Sequence, residues 1–185
     1  MSTLFICSEI ESYARCFYEL VNFLDKPEDF TSQCEKYGWE ITEKKDWIPG
    51  LSFSISETED FSLRLDFDFP QNAPPLAFSP ICAVTYYDED TDTQSSDEEI
   101  KELDLAFDKS FFNFLSQMES ELGKPSRNET YESSDRTLHF ASWEQPSGLL
   151  ILNQTLGDLH CGIDWEIHIL LLPWESDHNY PDFTL

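Results

Sequence analysis

The sequence concentrates carboxylates, the side chains best suited to holding cations, in one run near the middle of the chain. Asp88, Asp90 and Asp92 alternate with other residues, and Glu99 follows as the twelfth position counted from Asp88. This is the spacing of the oxygen ligands in an EF-hand calcium loop. Thr93 stands where that loop needs glycine for its sharp turn, and the preceding residues have the pattern of a strand rather than a helix. We therefore predict a solvated loop and no metal site, with calcium binding at these four carboxylates as the alternative.

Histidine and cysteine do not combine into a known catalytic or metal-binding motif. The five cysteines are scattered, and the sequence has neither a CxxC pair nor an HExxH helix. Cys161 could act as a nucleophile with His139 or His168 as its base, but a buried structural thiol is the ordinary outcome. A glycine-rich phosphate loop and a nucleophile elbow are also missing from the sequence. We therefore predict a protein that is not an enzyme and uses no cofactor.

The net charge indicates which partners the protein attracts. The 37 acidic and 11 basic residues give a formal charge of −26 at neutral pH. Proteins bind nucleic acid by neutralising phosphates with Lys and Arg, so direct binding to nucleic acid is not expected, and an anionic membrane is disfavoured for the same reason. A basic protein would be attracted and steered towards this surface. The alternative is that the charge serves only solubility or adaptation to a saline interior.

Periodicity predicts helices followed by strands. Apolar residues recur at helical spacing over 9–25 and over 104–122, with a shorter helix over 27–37 between them. The stretch 126–136 is polar and is predicted to be a loop. Alternating or continuous apolar residues predict strands at 39–42, 51–55, 61–69, 81–87, 138–143, 149–155 and 163–172.

The order of these elements predicts an α+β protein with antiparallel sheet and two main amphipathic helices. Residues 1–185 are expected to form a single unit, because neither part would bury a comfortable core alone. The helix-then-strands order nevertheless occurs twice. Two similar halves, 1–87 and 104–175 joined by an acidic loop at 88–103, are therefore possible.

Acidic and aromatic side chains on the predicted wet surfaces are the candidates for partner binding. If the strands that carry the acids are neighbours, their carboxylates form one patch. Tryptophans near prolines in turn-like settings would be its apolar anchors, as in interface hot spots. The alternative is that these rings only cap the core. The candidates are Asp66, Asp68, Asp164, Glu166, Trp47 and Trp174.

In charge, size and lack of a catalytic motif, the chain resembles the acidic immunity proteins of bacterial toxin–immunity pairs. Such proteins bind a cognate toxin, often a basic nuclease, and block its active site with carboxylates that replace substrate phosphates. The resemblance implies a stoichiometric inhibitor whose partner is a basic toxin domain, and no residues are carried over from it. A DNA mimic or acidic adaptor that occupies a nucleic-acid-binding protein is the alternative. The odd number of cysteines and the lack of a signal-peptide pattern predict a cytoplasmic location.

Overall fold

The computed structural model describes residues 3–6, 10–45, 49–57, 62–71, 73–88, 93–94, 96–132, 136–156 and 163–174. Three α-helices lie in these ranges, α1 (Ile10–Leu20), α2 (Pro27–Lys36) and α3 (Asp97–Leu122). The strands within the same ranges are β1 (Thr3–Ile6), β2 (Glu40–Lys45), β3 (Gly50–Glu57), β4 (Ser62–Asp68), β5 (Leu76–Thr85), β6 (Tyr87–Asp88), β7 (Thr93–Gln94), β8 (Arg127–Glu132), β9 (Thr137–Gln145), β10 (Gly148–Leu156) and β11 (Trp165–Pro173).

One antiparallel sheet runs through the molecule in the order β2-β3-β4-β5-β11-β10-β9-β8, with β1 also paired to β5. Strands β2 to β5 form one meander and β8 to β11 form another. The two meanders meet where β5 pairs with β11. Helices precede each meander along the chain. The α+β prediction is therefore confirmed, and the arrangement is compatible with two similar halves.

The helices pack on one face of this sheet because their apolar stripes and the apolar sides of the strands match. In β11, Trp165, Ile167 and Ile169 are buried at alternating positions, as the sequence predicts. On the first meander, the ring of Phe30 from α2 stacks on Phe67 of β4 with 3.9 Å between centroids. Within the described residues no helix is both long and apolar enough to cross a membrane.

Helix α3 begins earlier than predicted. The Ser96 hydroxyl accepts a hydrogen bond from the Glu99 amide at 3.4 Å, and the Glu99 carboxylate accepts one from the Ser96 amide at 2.8 Å. This reciprocal capping box starts a helix at Asp97, and the acids in its first turn are favoured by the helix dipole. The prediction of a loop over 88–103 was therefore wrong for 97–103.

The stretch 126–136 also differs from its prediction, since β8 (Arg127–Glu132) pairs with β9 over six residues. As an edge strand, β8 exposes most of its side chains, so its sequence lacks the apolar alternation that reveals half-buried strands. Backbone pairing holds β8 in place, and the half-buried ring of Tyr131, which donates to the Gln154 carbonyl, adds one side-chain contact.

A polar cluster fastens the first half of α3 to the sheet. Arg136, whose side chain is 12% exposed, donates to Asp104 at 3.0 Å and to Asp108 at 2.5 Å. Its guanidinium lies 4.9 Å from the ring centroid of Phe107 and 5.1 Å from that of Trp165. We call Asp104, Asp108 and Arg136 the Arg136 cluster. Its charges are largely satisfied within the protein, so it stabilises the fold rather than offering a site.

Candidate functional site

A groove on the helical side of the molecule lies where α1 passes the end of α3 and the residue that follows α2. Its volume is about 490 Å³. We call it the acidic groove, because three glutamates and only one arginine line it, which leaves two formal negative charges. Its lining residues are Glu11, Ser12, Arg15, Cys16, Glu19, Tyr37 and Glu121.

Helix α1 supplies most of the groove because of its amphipathic pattern. Ile10, Ala14 and Phe17 are fully buried against the core. Glu11, Arg15 and Glu19 follow at four-residue intervals and therefore share the other face of the helix. The spacing that buries one side of α1 thus presents a stripe of charge on the opposite side.

Tyr37 closes the groove from the end of α2. Its ring lies 5.3 Å from that of Trp39, and its hydroxyl donates to Glu19 Oε2 at 2.8 Å while accepting from Gln33 Nε2 at 2.9 Å. Burial raises the pKa of the Tyr37 phenol above its usual value, and the nearby Glu19 charge raises it further. The phenol is therefore a neutral donor that holds the Glu19 carboxylate in place.

Arg15 connects α1 to the end of α3. Its guanidinium donates to the backbone carbonyl of Glu121 at 3.0 Å and lies 3.7 Å from the Glu121 carboxylate. A cation at this position satisfies a carbonyl of the last helical turn and interacts favourably with the helix dipole. The contact shows that this end of the groove accommodates a guanidinium group.

The thiol in the groove is not suited to nucleophilic chemistry. Burial raises the pKa of Cys16, and the charge of Glu19 raises it further. A reactive cysteine needs the opposite environment, one that stabilises the thiolate. Cys34 and Cys82 also have raised pKa values, Cys82 to about 12, mainly because they are buried. The acidic groove therefore presents carboxylates and no activated thiol.

The four predicted acidic residues do not lie on adjacent strands, because β5 separates β4 from β11. Asp66 pairs with Phe78 and Glu166 with Ala83, so they are on the order of 15 Å apart along the strand direction. Asp68 is half-buried in β4, beyond Asp66. The condition for a shared carboxylate patch on neighbouring strands is therefore not met.

Several of these carboxylates have partners within the protein. Asp66 is only 5% exposed and accepts a hydrogen bond from the Ser52 hydroxyl. Asp164 accepts one from the Tyr86 amide at 2.7 Å, and Glu166 lies 3.0 Å from Nε2 of His168. These contacts stabilise the sheet and its connections, and a role of these residues in binding a partner stays a prediction.

Of the two tryptophans, Trp47 lies outside the described residues. Trp174 is half-buried, donates to the Gln145 carbonyl at 2.7 Å and packs on a small cluster formed by Phe140, Leu149 and Ile151. This is the arrangement of a ring that caps a hydrophobic cluster. Its role as an interface anchor stays a prediction.

The predicted calcium ligands are only partly covered by the structure. Asp90 and Asp92 lie outside the described residues, while Asp88 ends the short strand β6. Glu99 caps α3, and its carboxylate already accepts hydrogen bonds from the amide and the hydroxyl of Ser96. In the part of the chain that the structure describes, no group of three His, Cys, Asp or Glu side chains is arranged to hold a metal ion.

None of the five predicted partner-binding residues that the structure describes lines the acidic groove. The stripe of Glu11, Arg15 and Glu19 can be seen in the sequence as the polar face of the first helix. Its meeting with Glu121, 106 residues after Arg15, depends on how α1 packs against α3. The sequence therefore indicates the part of the groove on the first helix, but it does not indicate that Glu121 lies beside that part.

Comparison of the chain with protein-family models, with curated proteins and with solved structures found no match in any of the three.

Proposed function

We propose that the protein is a stoichiometric inhibitor of a basic partner, specifically an immunity protein that neutralises a bacterial toxin such as a nuclease. The acidic groove, with two net negative charges on a chain of net charge −26, is the observation that carries the proposal. Lysine or arginine side chains of the partner would enter the groove and meet Glu11, Glu19 and Glu121. In a nuclease, the same basic side chains bind substrate phosphate, so their capture blocks the substrate.

Charge alone does not make such a complex tight. An exposed ion pair contributes only about 0–1 kcal/mol, because both partners lose hydration and conformational freedom. The overall charge mainly accelerates the encounter and selects basic partners. Long-lived binding then depends on apolar contacts beside the charged ones.

The proposal also includes a reducing compartment, the bacterial cytoplasm. Cys16, Cys34 and Cys82 are free thiols. Domains exposed to an oxidising environment commonly pair their cysteines. Free thiols in three elements of the described part support the proposal of a cytoplasmic inhibitor.

The first test is to isolate the partner and measure how charge in the groove affects association. The protein is used to capture partners from bacterial lysate at low salt, and a captured basic protein is then purified. With that protein, the doubly neutralised variant Glu19→Gln/Glu121→Gln should lower the association rate about tenfold at low salt, and this loss should shrink as salt is added. Stopped-flow fluorescence measures the rate.

The control is Glu28→Gln/Asp29→Asn, which removes two exposed charges from the start of α2 outside the groove. It should change the association rate by less than about threefold, because it alters only the general charge. An equal loss in both variants would mean that the groove has no special part in binding. A captured protein that is not basic, or an association rate independent of salt, would contradict the proposed function.

A further inference from the structure

We propose that the outer edge of β8 receives an extended segment of the basic partner as an additional strand of the sheet. The inference rests on the proposed function and specifies the mode of contact. An edge strand offers a row of backbone donors and acceptors that another chain can pair with. The segment that fits this edge alternates apolar and basic residues.

The two ends of the sheet are constructed differently. At one end, the register of β2 against β3 shifts between Ile41 and Glu43, and β2 also contains Lys44 and Lys45. Irregular pairing and lysines are common features by which proteins keep an edge strand from pairing with other chains. The β2 edge therefore has protection of this kind.

Strand β8 lacks these protective features. It pairs with β9 in unbroken register from Arg127 to Glu132, and the sequence RNETYE contains neither proline nor lysine. Asn128, Glu129 and Thr130 are exposed, and within the described residues no strand pairs with the outer side of β8. A regular edge of six residues, exposed at its centre, is long enough to pair with a short peptide segment.

An exposed aromatic ring lies against β9, the strand next to this edge. Phe112 of α3 is 49% exposed, and its ring centroid lies 4.8 Å from that of His139. His139 is the partner of Thr130 across the β8–β9 pair. A strand added to β8 would therefore direct every second side chain to the face that carries Phe112, where apolar residues fit best.

The other face of β8 has the opposite character. Glu129 pairs with Phe140, which lies on the side of the sheet away from His139. Alternate residues of an added strand point to this second face, where a lysine or arginine would meet Glu129. Arg127 already contacts Glu129 at 2.8 Å, so the incoming cation would share this carboxylate. Apolar residues facing Phe112 and basic residues facing Glu129 define the alternating pattern.

A second copy of this chain is a poorer occupant of the edge than a basic segment. Each copy carries a formal charge of −26, so pairing two β8 strands would bring two strongly acidic bodies together. The same charge attracts a basic segment. Charge complementarity therefore selects the partner rather than a copy of the chain.

The test uses two synthetic eight-residue peptides of equal composition, one alternating lysine with valine and one with four lysines followed by four valines. Binding is measured by fluorescence anisotropy, and hydrogen exchange of the protein is followed with and without peptide. We expect the alternating peptide to bind more tightly and to slow amide exchange within 127–132. Phe112→Ala should weaken its binding about tenfold, the loss of roughly one aromatic contact.

Leu105→Ala is the matched control. Leu105 lies on the same helix, seven residues before Phe112, and is 72% exposed. Its truncation should change the affinity by less than about twofold, because Leu105 lies two helical turns, roughly 10 Å, from Phe112. If both peptides bind equally and leave exchange at 127–132 unchanged, the strand-addition proposal is wrong while the attraction to basic ligands stands.

Two further outcomes would also overturn the inference. If neither peptide binds at low salt, both the strand-addition proposal and the attraction to basic ligands are wrong. If β8 is protected in the free protein and the protein sediments as a dimer, the edge is occupied by a second copy.

Discussion

Arg136 shows how a single side chain can join a helix to a sheet. It contacts two aspartates of α3, and its guanidinium also lies close to the rings of Phe107 and Trp165. Asp104 and Asp108 remain partly exposed, with side-chain exposures of 39% and 37%. Water therefore screens part of the attraction, and the stacking on two rings supplies the rest of the stabilisation.

Replacing Arg136 with methionine should lower the free energy of unfolding by about 2 kcal/mol, since two charged hydrogen bonds and both ring contacts are lost. Lys109→Met is the control, because Lys109 is exposed on α3. Its effect should be at most about 0.5 kcal/mol. Urea denaturation measures both. Equal effects of the two substitutions would mean that the Arg136 cluster does not stabilise the fold.

At the scale of the element, the start of α3 depends on one serine. Ser96→Ala removes the side-chain acceptor of the capping box and should lower the free energy of unfolding by about 1 kcal/mol. Ser120→Ala on the same helix is the control, since Ser120 is exposed in the last turns. Alanine favours helix, so this control should be neutral or slightly stabilising. Thermal and urea unfolding measure the stability of the two variants. If Ser96→Ala leaves the free energy of unfolding unchanged, the capping box does not stabilise the helix.

The elements that could be predicted are those whose side chains alternate between core and water. The first helix and β11 have clear apolar periodicity, and the structure contains both. Strand β8 has no such signal because most of its side chains are exposed at the edge of the sheet. The start of α3 did have a local signal, Ser96 followed three residues later by Glu99, but the density of acids obscured it.

The acidic groove could not be predicted in full, because it is made by packing. Glu19 and Tyr37 come from successive helical segments, while Glu121 lies at the far end of α3. The alternation of apolar and polar residues in strands reveals their exposed side, so the predicted candidates are acids on strands. Asp66 shows why this was insufficient, since a position opposite the core can still be buried by its neighbours.

At the scale of the whole molecule, buried thiols and phenols, which are weak acids, determine how the free energy of unfolding changes at alkaline pH. Burial raises the pKa values of Cys82 and Tyr131 to about 12, and those of Cys34, Tyr37 and Tyr86 in the same direction. Their ordinary values are 9.0 for the thiol and 10.0 for the phenol. Between the ordinary and the raised values, the folded protein binds more protons than the unfolded chain. These groups therefore contribute their full stabilisation below about pH 9. The free energy of unfolding falls as the pH rises towards 12.

The melting temperature should accordingly be higher at pH 8 than at pH 11 by several degrees. Calorimetry over this range at constant ionic strength measures the change. Tyr37→Phe removes one of the titrating groups and should make the decline shallower. A melting temperature that does not change up to pH 11 would contradict the raised pKa values of these thiols and phenols.

The pairing of β5 with β11 also has a consequence for synthesis on the ribosome. Thr85 ends β5, and its partner strand β11 begins only at Trp165. One side of β5 therefore stays unpaired until 80 further residues have been synthesised. At ordinary translation rates this delay is on the order of 10 s. During that interval the nascent chain presents a long, largely apolar strand to other nascent chains. The acidic residues of the part already made repel neighbouring copies, so this charge also protects the unfinished protein from aggregation.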